Sequence, residues 1–185
     1  MKELSMHILD IAQNSVRAKA KNIDITVKEL IKANVFEFSI TDDGTGIPDE
    51  IFKTIKDPFT TSRTSRKVGL GIPFLNDTCV LCGGLLDIQT QLGEGTLLRA
   101  TMSYDHIDRP PLGDIASTIV GLVTSNEDIN IHYSHFFNDN VFDFETKEIK
   151  DIIGDLPLAD ISIYQWMKEF VKENIQEIKE MNNME

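Results

Sequence analysis

The chain has 185 residues, 41% of them apolar, and a formal net charge of −12. That length suggests one domain, or one with a small appendage. The longest uncharged run, Ile115 to Asn126, falls far short of the ~20 apolar residues that cross a bilayer, and no charged-then-apolar leader opens the chain; both predict a cytoplasmic protein.

The charge is unevenly placed. Residues 1–104 carry 12 Lys+Arg against 13 Asp+Glu, a net of −1, while residues 105–185 carry 6 against 17, a net of −11. The shift predicts a boundary near Asp105, with "DRPPLG", Asp108 to Gly113, as linker. The expected division is 1–107 and an acidic extension, 108–185. An acidic surface repels nucleic acid and anionic membrane, so proteins are the expected partners.

In chain order, residues 4–20 repeat at helical period, with Ser5 as cap. Asn22 to Leu30 alternate at period two, as does "ANVFEFSITDD", with a turn at Lys32 to Asn34. "PDEIFKTI" reads as a short helix with Pro48 at its first position. Residues 57–69 form a polar loop, and Ile72 to Leu81 return to helix, stopped by Gly83-Gly84. "LLDIQTQL" and "TLLRATMSY" are strands joined at Gly93-Glu94-Gly95. The order predicts an α/β two-layer sandwich, a mixed, mostly antiparallel sheet with helices on one face. Beyond residue 110 the pattern gives a helix ("DIASTIVGLV"), a hairpin turning at Asn138-Asp139-Asn140, and two further helices. Trp166, Met167, Phe170 and Val171 lie in the last and are expected to pack on their own domain.

Four stretches carry candidate chemistry. On the first helix, Asp10 and Asn14 stand one turn apart and interrupt a stripe of Ile8, Leu9, Ile11, Ala12 and Val16. "TDDGTGIP", Thr41 to Pro48, follows a strand. There Gly44 and Gly46 allow close backbone approach, and Asp42 is a carboxylate at a strand end that is costly to bury unpaired. An exocyclic amine would pair it; a plain Asp-Gly turn is the plainer alternative. "DPFTTSRTSRKVGLGI", Asp57 to Ile72, gathers Thr60, Thr61, Arg63, Arg66 and Lys67 and ends in Gly69-Leu70-Gly71 at a helix start. Glycines and free amides there favour phosphate, and the basic groups could screen it; a solvated surface loop is the alternative. "GEGT" makes a tight turn, after which Thr96 could reach a ring nitrogen.

In order and spacing, these four stretches resemble the GHKL ATPase superfamily, which includes gyrase, heat-shock chaperones, mismatch-repair ATPases, sensor histidine kinases and anti-sigma-factor kinases. The resemblance covers about residues 5–103 and is nearest the histidine-kinase and anti-sigma-kinase branch. It implies ATP and Mg²⁺ as ligands. It further implies that Asn14 holds Mg²⁺ on the triphosphate, Asp10 orients or deprotonates water, and Asp42 reads adenine with Gly46 beside the base. Thr96 supports that contact, and Gly69 and Gly71 serve the phosphates. Arg63, Arg66 and Lys67 are candidates for the γ-phosphate. Three departures stand out. Hydrolytic members usually have Glu where Asp10 stands. A strand usually precedes the motif helix, and here it is absent or supplied by the C-terminal part. Lys67 takes the place of a further loop glycine. The implied function is a stand-alone kinase acting on a partner protein; an ATP-sensing module and a simple hydrolase are the alternatives, and a homodimer is left open.

The remaining reactive residues read more plainly. Cys79 and Cys82 are expected in the core, with a redox or metal pair as alternative. His7 lacks the usual phosphoacceptor pattern and is expected at the helix surface or edge. His132 and His135, at odd spacing on a strand, should point to opposite faces.

Overall fold

The computed structural model describes residues 2–57 and 70–182. The elements are α1 (Leu4–Arg17), β1 (Asn22–Leu30), β2 (Val35–Asp42), α2 (Asp49–Phe52), α3 (Gly71–Leu81), β3 (Leu85–Gln91), β4 (Gly95–Ser103), α4 (Ile115–Ser125), β5 (Asn130–Phe137), β6 (Asn140–Glu145), α5 (Thr146–Ile153) and α6 (Ile161–Asn182). Six strands form one sheet in the order β3-β4-β2-β1-β5-β6. Every pair is antiparallel except β1–β5, which run parallel with Ile23 beside Ile131 and Val27 beside His135. The strand beside β1 therefore comes from the acidic C-terminal part, and residues on both sides of position 107 share one sheet.

Alternation sorts the sheet into two faces. One buries Ile23, Ile25 and Val27 of β1, Phe36, Phe38 and Ile40 of β2, Leu98, Ala100 and Met102 of β4, and Ile131 and Tyr133 of β5. Helices α1, α3, α4 and α6 cover it, with Ile8, Ile11, Leu75, Ile119, Val123, Met167 and Val171 in the same core. The opposite face carries polar contacts. Lys28 lies 3.1 Å from Glu37, and His132 lies 3.0 Å from Asp24 and 3.1 Å from Asp143. His135, three residues on, is fully buried on the covered face, as odd spacing requires.

Two local readings are corrected. Ser5 does not cap α1: its hydroxyl lies 3.3 Å from Glu3, and the helix has no side-chain cap. Instead the amides of Leu4 and Ser5 donate to the carbonyls of Pro111 and Leu112, at 2.9 and 2.8 Å. The proline-rich stretch thus satisfies amides that a helix start leaves free. His7 is not a surface histidine but is 1% exposed. It stands three residues after Leu4 and four before Ile11, on the inner stripe of the helix, and burial is the main cause that lowers its pKa.

Cys79 and Cys82 are both buried. Burial first, and then the neighbouring Cys82, push the Cys79 thiol up to about 12. Among the described residues no cluster of three His, Cys, Asp or Glu could hold a metal, and no helix is long and apolar enough to cross a membrane.

Candidate functional site

The register of the sheet builds the site. Asp42 ends β2 directly opposite Thr96 at the start of β4, and Thr96 in turn stands opposite Thr90 on β3. The three side chains form one row on the covered face, at the end of the sheet reached by α1. Above them lies a hollow of about 60 Å³. Its polar lining is Asn14, Ser15, Asp42 and Thr96; Ile11, Ile40, Ile47, Ile72, Ile88 and Leu98 supply most of the apolar wall.

Asp42 does not sit there unpaired. The Ser15 hydroxyl donates to one carboxylate oxygen at 2.6 Å, and the Gly44 amide donates to the other at 2.9 Å. An ionised carboxylate offers about four lone-pair positions, so these bonds fix its plane and leave acceptor capacity for a ligand. The adjacent Asp43 has a different task. It accepts from the Lys21 and Asn22 amides at 2.7 and 2.9 Å and from the Asn22 side chain at 2.7 Å, pinning the start of β1. Those Asn22 contacts hold its carboxyl below the usual range. Of the two acids in "TDDG", only Asp42 lines the hollow.

Two glycines let the loops close on this row. Gly46 has φ +71°, and a Cβ on it would stand 2.3 Å from the Gln91 carbonyl oxygen. Gly95 has φ +124°, and a Cβ there would stand 1.9 Å from the Asp42 carbonyl oxygen. No L side chain fits either place. The Thr45 amide donates to the Ala18 carbonyl at 2.9 Å, and the Gly93 amide donates to the Thr45 carbonyl at 2.8 Å. The glycine loop is thereby stapled to the end of α1 and to the β3–β4 turn.

Of the residues singled out in the sequence, Asn14, Asp42, Gly46 and Thr96 meet around the hollow, with Gly44 held against Asp42. Asn14 also accepts from the Arg17 guanidinium at 3.0 Å. Asp10 is not part of the lining; it lies one turn earlier on α1 beside the start of α3, where a Cβ on Gly71 would come within 3.0 Å of its carboxylate. That places a negative group at the positive end of a helix. Leu70 precedes α3 and is 46% exposed. Thr60, Thr61, Arg63, Arg66, Lys67 and Gly69 lie outside the described residues. Sequence reading missed Ser15 and Thr90. A serine on the inner side of a helix directly after Asn14 was the available signal for the first; a threonine six residues before Thr96 was the signal for the second.

Comparison with known proteins adds three findings. Residues 2–106 match the family model described as "Histidine kinase-, DNA gyrase B-, and HSP90-like ATPase". Among curated proteins, the chain is 26% identical over 100 residues to "Sporulation kinase C" of Bacillus subtilis, covering 54% of this chain and 23% of that protein. It is 25% identical over 111 residues to the "Non-motile and phage-resistance protein" of Caulobacter vibrioides, covering 55% and 13% respectively. The chain thus spans less than a quarter of the length of either relative. A solved structure of the N-terminal domain of a DNA repair protein superposes with a TM-score of 0.57 at 13% identity, over 84% of this chain and 58% of that one, which shows a shared fold.

Proposed function

The chain belongs to the histidine kinase-, DNA gyrase B- and HSP90-like ATPase family, and from that premise we propose that this ATP-binding domain is a regulatory kinase that passes the γ-phosphate of Mg·ATP to a partner protein. The observation that carries the reading is convergence: Asn14, Asp42 and Thr96, from a helix and two strands, line one hollow. Asp42 is preset to accept from an exocyclic amine by its two fixed donors.

The residues present suit the ligand. A hollow of about 60 Å³ is small beside the ~300 Å³ of the smaller ligand pockets, so it takes a ring edge and leaves sugar and phosphates outside. Asn14 offers a hard oxygen of the kind Mg²⁺ prefers, and it would hold the ion on the triphosphate. The ion would supply charge neutralisation around the γ-phosphate. The amides at the start of α3 would face the phosphates. Asp10 beside Gly71 would orient or deprotonate the attacking group. The acidic residues after 105 would select the partner by charge.

A second reading has one observation in its favour. Asp10, one methylene shorter than the Glu that hydrolytic members of the family usually carry there, lies against Gly71, which suits an ATP-sensing module without turnover. Calorimetric titration with ATP, with and without Mg²⁺, tests the shared part: binding that requires Asp42 supports it, and an Asp42→Asn variant that binds as well as the parent overturns it. Labelled γ-phosphate then separates the readings. Transfer to a protein in cell extract, lost in Asp10→Asn while ATP still binds, supports the kinase. Binding with neither transfer nor released phosphate supports the sensor.

A further inference from the structure

Thr90 makes more contacts than a strand residue needs. Its hydroxyl accepts from the Ile47 amide at 2.9 Å, and it lies 3.0 Å from the Gly95 carbonyl oxygen and 3.0 Å from the Thr96 hydroxyl. A hydroxyl has one proton and two lone pairs, so the proton can be assigned. Ile47 occupies one lone pair. If the Thr90 proton goes to Gly95, the Thr96 proton goes to the second Thr90 lone pair, and all three contacts are hydrogen bonds. If the Thr90 proton goes to Thr96 instead, the contact with Gly95 is lost. The first arrangement is favoured by one hydrogen bond in a part-buried place.

Its consequence falls on the hollow. With its proton spent on Thr90, Thr96 turns only lone pairs inward. Asp42, the other polar group of the strand row lining the hollow, is an acceptor as well. A direct bond from Thr96 to an unprotonated ring nitrogen would need that proton back; the locked arrangement instead receives a donor, from an amino group or a water. Resting on the nucleotide reading above, we propose that Thr90 is a specificity-determining positioning residue: by holding the Thr96 proton it sets the site to accept a 6-aminopurine and disfavour a 6-oxopurine. Hypoxanthine carries an oxygen at position 6 and a proton on N1, where adenine carries an amino group and a lone pair. With position 6 seated between Asp42 and Thr96, that oxygen would meet acceptors on both sides, and only a shift of the ring would bring the N1 proton to one of them.

Calorimetric titration with ATP and with inosine triphosphate tests this in the parent, Thr90→Val, Thr90→Ser and Thr96→Val. The parent should prefer ATP. Thr90→Val frees the Thr96 proton to turn toward the oxo group and should narrow the preference about tenfold; Thr90→Ser should restore it. A Thr90→Val protein that loses thermal stability yet keeps the parent's preference has lost only the Ile47 anchor, and the proposal fails. Should Thr90→Val not fold, Thr96→Val decides: it leaves the Thr90 contacts to Ile47 and Gly95 in place and must also narrow the preference, and an unchanged ratio overturns the proposal. A parent that binds both nucleotides equally sinks this inference alone, whereas one that binds neither sinks the nucleotide reading and this with it.

Discussion

The Ser15 hydroxyl stands 2.6 Å from the Asp42 carboxylate, one residue past Asn14 on the same helix. Position 15 is 3% exposed, so the bond is made where water does not compete for it. α1 therefore acts on the hollow twice: Asn14 lines it, and Ser15 orients the acid across from it.

Ser15→Ala should weaken ATP binding about tenfold, in keeping with the roughly 1.5–3 kcal/mol of a hydrogen bond to a charged group. The requirement for Mg²⁺ should persist, because Asn14 is untouched. Titration calorimetry measures both, and an unaltered affinity would mean that Asp42 is oriented by the Gly44 amide alone.

How much of this was legible in the sequence depends on the kind of contact. Asn14 announced itself as a polar residue in an apolar helical stripe, and Asp42 and Thr96, ordinary singly, did so through the order and spacing of the four motif stretches. Ser15 and Thr90 did not, since serine in a helix and threonine in a strand are ordinary. Only the register that sets Thr90, Thr96 and Asp42 in one row gives Thr90 a task, and only the packing of α1 over Asp42 gives Ser15 one. The antiparallel pairs β1–β2, β3–β4 and β5–β6 followed from short turns; β2–β4, which joins residues 54 to 68 positions apart, did not. The parallel pairing of β1 with β5 could not, because it joins residues about a hundred positions apart with no local signal. The amides at the start of α1 were misassigned to Ser5 for the same reason, their acceptors being Pro111 and Leu112.

At the far end of the sheet, a buried ionic group fastens α6. Glu29 accepts from His135 at 2.9 Å and lies 2.7 Å from the Lys179 ammonium, while the Tyr133 hydroxyl lies 2.6 Å from the other His135 nitrogen. Burial alone would raise the Glu29 carboxyl, but hydrogen bonds from His135 and Lys179 outweigh it and hold it at about 2, against 4.5 unfolded. A lowered carboxyl gives stability that is complete above 4.5 and lost as pH falls toward 2. His135 is lowered chiefly by burial, so unfolding takes up a proton below 6.5 and its contribution too is lost on acidification. On the open face His132 works in the opposite sense. Burial pulls it down, but hydrogen bonds to Asp24 and Asp143 raise it overall, so its contribution is present below 6.5 and lost as pH rises through its raised value. Lys179→Met should cost about 2 kcal/mol at pH 7. It should also flatten the acid loss between pH 4.5 and 2, because Glu29 would return toward its ordinary value. Chemical denaturation across pH measures this; an acid limb as steep as the parent's would show that Lys179 does not hold Glu29.

The thiols should be silent in the folded protein. Cys79 is fully buried and pushed up to about 12, and burial raises Cys82 also. Alkylation at pH 8 should therefore run at least about a hundredfold slower than in denaturant, since the thiolate is the reacting form. Mass spectrometry of partly modified samples should show both sites labelled together, through global opening. Rapid labelling of one site in native buffer would contradict the core placement.

The parallel partnership of β1 and β5 also sets a timetable. A ribosome must add roughly 100 more residues after β1 before β5 exists to pair with it, a delay of ~5–20 s at cellular synthesis rates. Through that interval the nascent chain holds a naked inner strand rich in isoleucine and valine, and a chaperone has its longest opportunity to act there.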